Sequence, residues 1–255
     1  MRVTTLGTGT IALAPRRARA GLLVEAGPVR LLLDCGSGAT QRLADHGVDW
    51  MGITHVALTH FHADHFGDFP TLVFAWKYGA LPARAAPLQV YGPVGTQALL
   101  GRLADAFGEW LRDPGFPIAV QEIAHGDTVE MPGEVRLSAR KVPHTDESVA
   151  YSVEHGRRRV VYTGDTGYDP ALAEWAGRCD VLVCECSLPQ AMAVPIHLTP
   201  EECGALAAAA RPGHLVLTHF YPPVEQVDVR AIVGQQFGGP VKLAHDGWHI
   251  ELGDE

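Results

Sequence analysis

The sequence predicts an α/β protein in which two β-sheets pack face to face with helices on the outside. Three observations carry that expectation. Short apolar, β-branched runs alternate with Ala- and Leu-rich stretches of helical period along the whole chain. Strands crowd the first part, and strand–helix alternation fills the rest. Of the 255 residues, 47% are hydrophobic and only 19% charged, so there is more apolar sequence than one layer can cover.

In chain order, strands are expected at 3–6, 22–25, 29–34, 55–58, 88–91, 135–142, 150–153, 160–163, 181–186, 215–218, 241–244 and 248–252. Helices are expected at 39–46, 68–76, 95–106, 170–175, 200–210 and 227–236. The stretch 68–82 is unusually apolar and aromatic for a surface helix. Strands 150–153 and 160–163 leave only Glu154-His-Gly-Arg-Arg-Arg159 between them, a tight hairpin turn. Helix 200–210 carries a start signal: Thr199 caps, Pro200 takes the first turn, and Glu202 closes a capping box. Nothing resembles a linker or low-complexity tract, so residues 1–255 are expected to form one domain.

The formal net charge of −9 repels nucleic acid on average and leaves any polyanion to a local patch or to metals. No secretory signal and no run of 18 apolar residues is present, so the expected location is the cytoplasm, with no membrane partner. Five scattered cysteines, an odd number, argue against a disulfide framework. Cys184 and Cys186 read as strand thiols, since no second pair accompanies them.

The chemistry concentrates in His60-Phe-His-Ala-Asp-His65. Residues two apart on a helix do not face one another, so His60 and His62 need an extended or tightly turned segment to reach one metal. In such a segment positions 60, 62 and 64 are expected on one side. Imidazole and carboxylate are the donors that zinc prefers. The runs Val56-Ala-Leu-Thr-His-Phe61 and Leu215-Val-Leu-Thr-His-Phe220 read almost alike, which predicts that His60 and His219 are neighbours. His46, His55, His125, His155, His214, His245 and His249 read as solvated or structural.

His60-x-His62-x-Asp64-His65 resembles the signature of the metallo-β-lactamase fold superfamily, and Pro143-His144, Thr163-Gly-Asp165 and Leu217-Thr-His219 follow in that superfamily's order. The resemblance implies a four-layered αβ/βα sandwich, two mixed β-sheets flanked by helices, with two zinc ions at one edge and manganese or iron(II) as alternatives. It implies His60, His62 and His144 on the first metal, Asp64, His65 and His219 on the second, and Asp165 bridging. Within the superfamily the chain is most similar to the ribonuclease Z branch. Leu6-Gly-Thr-Gly-Thr10, Ser148-x-x-Tyr151 after His144, Glu185 after an apolar strand, and His197-Leu-Thr carry that likeness. It implies a phosphodiesterase in which a bridging hydroxide attacks phosphorus in line. Asp64 orients the nucleophile, His197 acts as the acid and Glu185 holds His197.

The family's arm for gripping the tRNA elbow has no counterpart here, because only 20 residues separate His144 from Asp165. A small phosphodiester therefore fits better than an RNA 3′ end. Arg17, in Arg16-Arg-Ala-Arg19, is a candidate for gripping phosphate, with Phe61, Phe220 and Tyr221 walling the pocket. Relatives dimerise through helices near 68–82, which makes a homodimer an expected assembly. Three readings compete on the same fold: an acyl hydrolase of thioesterase or lactamase type, a tRNA 3′-processing endoribonuclease proper, and an iron-dependent redox enzyme. A non-catalytic RNA-associated partner is a weaker fit, since every ligand is present.

Overall fold

The structure is a computed structural model that describes residues 1–253. It opens with the antiparallel strands β1 (Arg2–Gly7), β2 (Gly21–Ala26) and β3 (Val29–Leu33), followed by α1 (Ala39–Asp45) and β4 (His55–Ala57). Next come α2 (Ala63–Phe66), α3 (Phe69–Tyr78), β5 (Leu88–Gly92), α4 (Thr96–Phe107), α5 (Glu109–Arg112) and β6 (Ile118–Glu122). The second half repeats the plan with β7 (Thr128–Met131), β8 (Val135–Lys141), β9 (Val149–His155), β10 (Arg158–Tyr162), α6 (Pro170–Ala176) and β11 (Val181–Glu185). It continues through α7 (Pro200–Ala210), β12 (His214–Thr218), α8 (Val229–Gly234) and β13 (Val241–Leu243), and β14 (His249–Glu251) returns to the first sheet.

Two seven-stranded mixed sheets result, ordered β14-β1-β2-β3-β4-β5-β6 and β13-β12-β11-β10-β9-β8-β7. Alternation along each strand splits its side chains between two cores. Leu31 and Leu33 join Val149, Tyr151, Val160 and Val183 between the sheets, whereas Leu32 packs outward with Phe69, Leu72 and Trp76 of α3. On the far side, Leu182, Cys184 and Cys186 pack against α6, α7 and α8. The layers are therefore helix, sheet, sheet, helix, as expected. All five cysteines are free and buried.

The strands missed in the sequence are β6 and β7, each at the outer edge of its sheet, where half-exposed residues blur the alternation. The helices missed, α2 and α5, are single turns of 4 residues. The expected helix at 227–236 shortens to α8, capped by the Asp228 side chain on Ala231 N.

Each sheet runs through three antiparallel pairings and then three parallel ones. In that symmetry β4 corresponds to β11, and β12 to β5. The likeness between the segments ending in His60 and His219 is therefore not a likeness between equivalent strands. The two histidines meet because β4 and β12 both end at the same edge of the sandwich.

Candidate metal centre

The parallel strands end together, and the residues just past those ends build the site. Asp34 follows β3, Thr59 and His60 follow β4, Asp165 follows β10, Glu185 closes β11 and His219 follows β12. Asp34 and His219 sit at φ 60° and 57°, a left-handed conformation that is costly for a side-chain-bearing residue and recurs where function requires it. Gly164 is dictated by close approach as well as by its φ of 56°: a Cβ there would lie 2.8 Å from Thr59 Cβ. Gly36 likewise lets the α2 segment close onto the end of β3, since a Cβ there would lie 1.9 Å from the Asp64 carbonyl.

The segment after β4 is extended through His62, which caps α2, and then turns into that helix. Positions 60, 62 and 64 thus do not form one face of an extended run. His60 and His62 join one group of donors, while Asp64 and His65, on the helical turn, join another. His144 enters from the end of β8 to complete the first group, and His219 completes the second.

Asp165 stands between the groups. Its Oδ2 lies 3.9 Å from His60 Nε2 and 3.7 Å from His144 Nε2, and its Oδ1 lies 3.1 Å from His65 Nε2 and 3.3 Å from His219 Nε2. His144 Nε2 is 3.1 Å from His62 Nδ1, and His219 Nε2 is 3.6 Å from Asp64 Oδ2. Donors about 2.1 Å from a tetrahedral zinc are spaced at roughly 3.4 Å, so these separations suit a cation at each focus.

The histidines are also poised as ligands. His65 Nδ1 donates to Asp34 Oδ2 at 2.8 Å, His144 Nδ1 to the Ile196 carbonyl at 2.9 Å, and His219 Nδ1 to Ser187 Oγ at 3.0 Å. His60 Nδ1 donates to Thr59 Oγ1 at 3.1 Å, whose own hydrogen goes to Asp34 Oδ2. Each ring is thereby held in the tautomer with a bare Nε2 facing the centre. Two of the converging atoms, His60 Nε2 and Asp165 Oδ1, are buried with no hydrogen-bond partner. Unpaired buried acceptors are expensive, and a divalent cation is what this donor set would satisfy.

Without a cation, these groups act on one another. Burial, with the charge of His65, holds His60 well below the ordinary imidazole range, and burial lowers His144. Burial would likewise lower His65, but Asp165 and Asp34 outweigh it and hold its proton well above the usual pKa. For Asp165 burial pushes upward, yet the surrounding His219, His65 and His60 pull its pKa well down.

Beside this centre stands His197. Its Nδ1 donates to both oxygens of the buried Glu185, at 3.0 and 3.1 Å. Burial would lower its pKa, but the Glu185 hydrogen bond and charge raise it. His197 Nδ1 also lies 4.0 Å from Asp165 Oδ2, but its commitment to Glu185 removes that nitrogen from any ligand set. Ser187 Oγ, which receives the His219 proton, passes its own to Glu185 Oε2, so His219 and His197 hang on one carboxylate.

The expected pocket walls divide. Tyr221 stands 6.1 Å from the His197 ring and 6.2 Å from that of His219, while Phe61, half-buried, lies against Gly95. Phe220 is buried in the outer core beneath Arg17, whose guanidinium lies 4.5 Å from the ring centroid. Arg17 itself is spent on Thr8, the Ala244 carbonyl and Glu225. Neither Phe220 nor Arg17 presents a group to the centre. The arginines of the 154–159 hairpin are remote too: Arg158 bonds Asp180 and the Gly253 carbonyl, and Arg159 bonds Ser152 and the Trp175 carbonyl. Asp34 and Ser187 escaped notice in the sequence, because a lone Asp or Ser after an apolar strand carries no local signal. His55 is buried and stacked on Tyr91, outside the cluster.

A His/Asp donor cluster at the shared edge of a four-layered αβ/βα sandwich defines a metal-dependent hydrolase of the metallo-β-lactamase fold. Residues 29–220 match the family model described as the beta-lactamase superfamily domain. The ribonuclease Z of Mycobacterium marinum is 32% identical over an alignment of 279 positions covering 99% of both chains. Among solved structures, YhfI from Bacillus subtilis, a metallo-beta-lactamase fold protein, superposes with a TM-score of 0.81 at 26% identity, covering 98% of each chain. Human tRNase Z, short form, shares the fold with a TM-score of 0.79 at 24% identity, covering 98% of this chain and 99% of that one. The chain belongs to the beta-lactamase superfamily, in its ribonuclease Z-like branch.

Proposed function

We propose that this chain is a phosphodiesterase working with two zinc ions, one held by His60, His62 and His144, the other by Asp64, His65 and His219, with Asp165 shared between them. The observation that carries the reading is the division of Asp165, one oxygen toward each group of donors. When bound, the two ions supply Lewis-acid chemistry, acidifying water and offsetting the charge on phosphorus-bound oxygens. Manganese or iron(II) would meet the same donors.

The chain's own residues do the rest. Burial would raise the Asp64 pKa, but the neighbouring His219 and His65 draw it down, so Asp64 stays anionic and orients the attacking water. The Glu185 hydrogen bond and charge at Nδ1 outweigh burial and raise the His197 pKa, which favours a second proton on Nε2 for delivery to the leaving oxygen. Tyr221 and Phe61 wall the space beside that oxygen.

The β9–β10 hairpin turns through Gly156 and Arg157 alone, leaving no arm, and the net charge is −9. Both weigh toward a small phosphodiester. An RNA 3′ end is the second reading, favoured by relatives named ribonuclease Z. We read residues 1–255 as one domain acting in the cytoplasm. No helix among the described residues is long and apolar enough to cross a membrane. A homodimer would use the aromatic patch of exposed Phe74, Tyr78 and Phe107 around the half-buried Trp110.

The deciding experiment combines metal analysis with a substrate panel on zinc-reconstituted protein. Two ions per chain, and turnover of bis-p-nitrophenyl phosphate ahead of nitrocefin and an acyl thioester, support the reading. Fewer than two ions, or preference for an acyl substrate, overturns it; preference for pre-tRNA transfers it to the second reading.

A further inference from the structure

The segment joining β11 to α7 adjoins the centre, running from Ser187 to His197 and accepting from His144 at the Ile196 carbonyl, and its chemistry is unlike that of the donors beside it. Leu188-Pro-Gln-Ala-Met-Ala-Val-Pro-Ile196 contains no charge and one polar side chain, Gln190, whose Oε1 accepts from Thr199 Oγ1. The segment is built rather than loose. Met192 N donates to the Pro189 carbonyl, His197 N donates to that of Val194, and Ser187 N donates to that of Leu198. Pro195 closes on the loop after Asp165, where a Cβ at Gly167 would lie 1.9 Å from the Pro195 carbonyl.

Held this way, Met192, Val194 and Ile196 are 50%, 39% and 43% exposed, and Tyr168, next to Gly167, is 42% exposed. Single apolar side chains on a surface need no explanation, but three on one uncharged segment, with a fourth on the loop it closes onto, do. The segment is fastened to the site: the Ile196 carbonyl holds His144 Nδ1, and the Val194 carbonyl holds the backbone of His197. The cations on the same side are engaged, Arg140 with Asp169 and Lys141 with the carbonyls of Val142 and Thr145. Of these two cations only Arg140 is charge-paired, so the side holds one uncompensated charge, Lys141, rather than the basic track a polyanion would need.

We infer that the wall of Met192, Val194, Ile196 and Tyr168 selects an ester carrying an apolar alkyl or aryl group next to the cleaved bond. This rests on the phosphodiesterase reading and adds the substrate class to it. His197 sits at the junction, so the apolar group lies on the leaving-group side, where its burial strips water from the oxygen that takes the proton.

The test uses zinc-reconstituted protein with two series, methyl through hexyl: methyl 4-alkylphenyl phosphodiesters, from which the 4-alkylphenol leaves, for turnover, and alkylphosphonates for binding by calorimetry. Both kcat/KM and affinity are expected to rise about threefold to fourfold per methylene. Met192→Ser with Val194→Ser, at exposed positions, is expected to flatten both series, the loss falling on KM for the long chains. Tyr168→Ser is a second variant that leaves the 188–196 backbone untouched. A flat phosphonate series overturns the inference whatever the turnover, and so does a slope that survives these substitutions. A phosphonate slope without cleavage of any phosphodiester leaves the wall standing and removes the phosphodiesterase reading instead. Vesicle co-sedimentation without a chain-length slope assigns the wall to a lipid surface and also overturns it.

Discussion

Four of the site histidines share one device: the Nδ1 hydrogen goes to a fixed acceptor and Nε2 is left bare toward the centre. Asp34 is the busiest of those acceptors, taking hydrogen bonds from His65, the Thr59 amide and hydroxyl, and Tyr162. Asp34→Asn should therefore weaken metal binding by about 10–100-fold, measured by competition with a chromophoric chelator. The same variant bears on protons. Burial would lower the His65 pKa, but Asp165 and Asp34 raise it, so an ion arriving at Nε2 competes with a proton there. Calorimetry in buffers of different ionisation enthalpy should show less proton release for Asp34→Asn than for the parent chain. At His197, substitution by Ala should cut kcat by roughly 10²–10⁴ with metal content unchanged in elemental analysis. Glu185→Gln should lower turnover too, and stability with it. The carboxylate also accepts from the Thr166 and Leu198 amides and the Ser187 hydroxyl, and an amide cannot accept on both ends. A loss of about 1–3 kcal/mol is expected in urea unfolding.

Among the elements, α7 shows local sequence and tertiary structure agreeing. Thr199 caps Glu202 N and Glu202 returns to the Thr199 amide, as the residue pattern requires. Because α7 begins only three residues after His197, its cap also anchors the apolar wall. Thr199→Ala should cost about 0.5–2 kcal/mol in chemical denaturation. The close approach of Gly164 to Thr59 ties the end of β10 to the end of β4. Gly164→Ala combines a left-handed backbone with overpacking, and about 2–4 kcal/mol of destabilisation is expected in the same measurement. Strands β6 and β7 were illegible because edge strands bury only half of what central ones do, and α2 because a single turn has no period to detect. The likeness of the segments after β4 and β12 did foretell convergence, although the strands occupy non-equivalent places.

At the scale of the molecule, the centre gathers Asp34, Asp64, Asp165 and Glu185 into buried positions at one edge. Buried carboxylates need cations, so the metals are expected to stabilise the fold as well as act in it. Chelation should lower the melting temperature and zinc should restore it; at a free zinc concentration 100 times Kd the linkage is worth about 2.7 kcal/mol. The aromatic patch on α3, α4 and α5 makes its own prediction. Phe74→Ser with Phe107→Ser should shift a dimer to monomer in light scattering, and an unchanged mass would remove this patch from the assembly.

The donor chemistry, the order of the ligand motifs and the layered fold were legible in the chain alone, since residue type, short spacing and strand period are local properties. It took the folded molecule to show how Asp165 is divided, that Asp34 and Ser187 stand behind the ligands, and that Arg17 is spent on Glu225 while Phe220 lies in the core. Those are facts about partners far apart in sequence, and which partner a buried polar group finds is settled by packing, not by its neighbours along the chain.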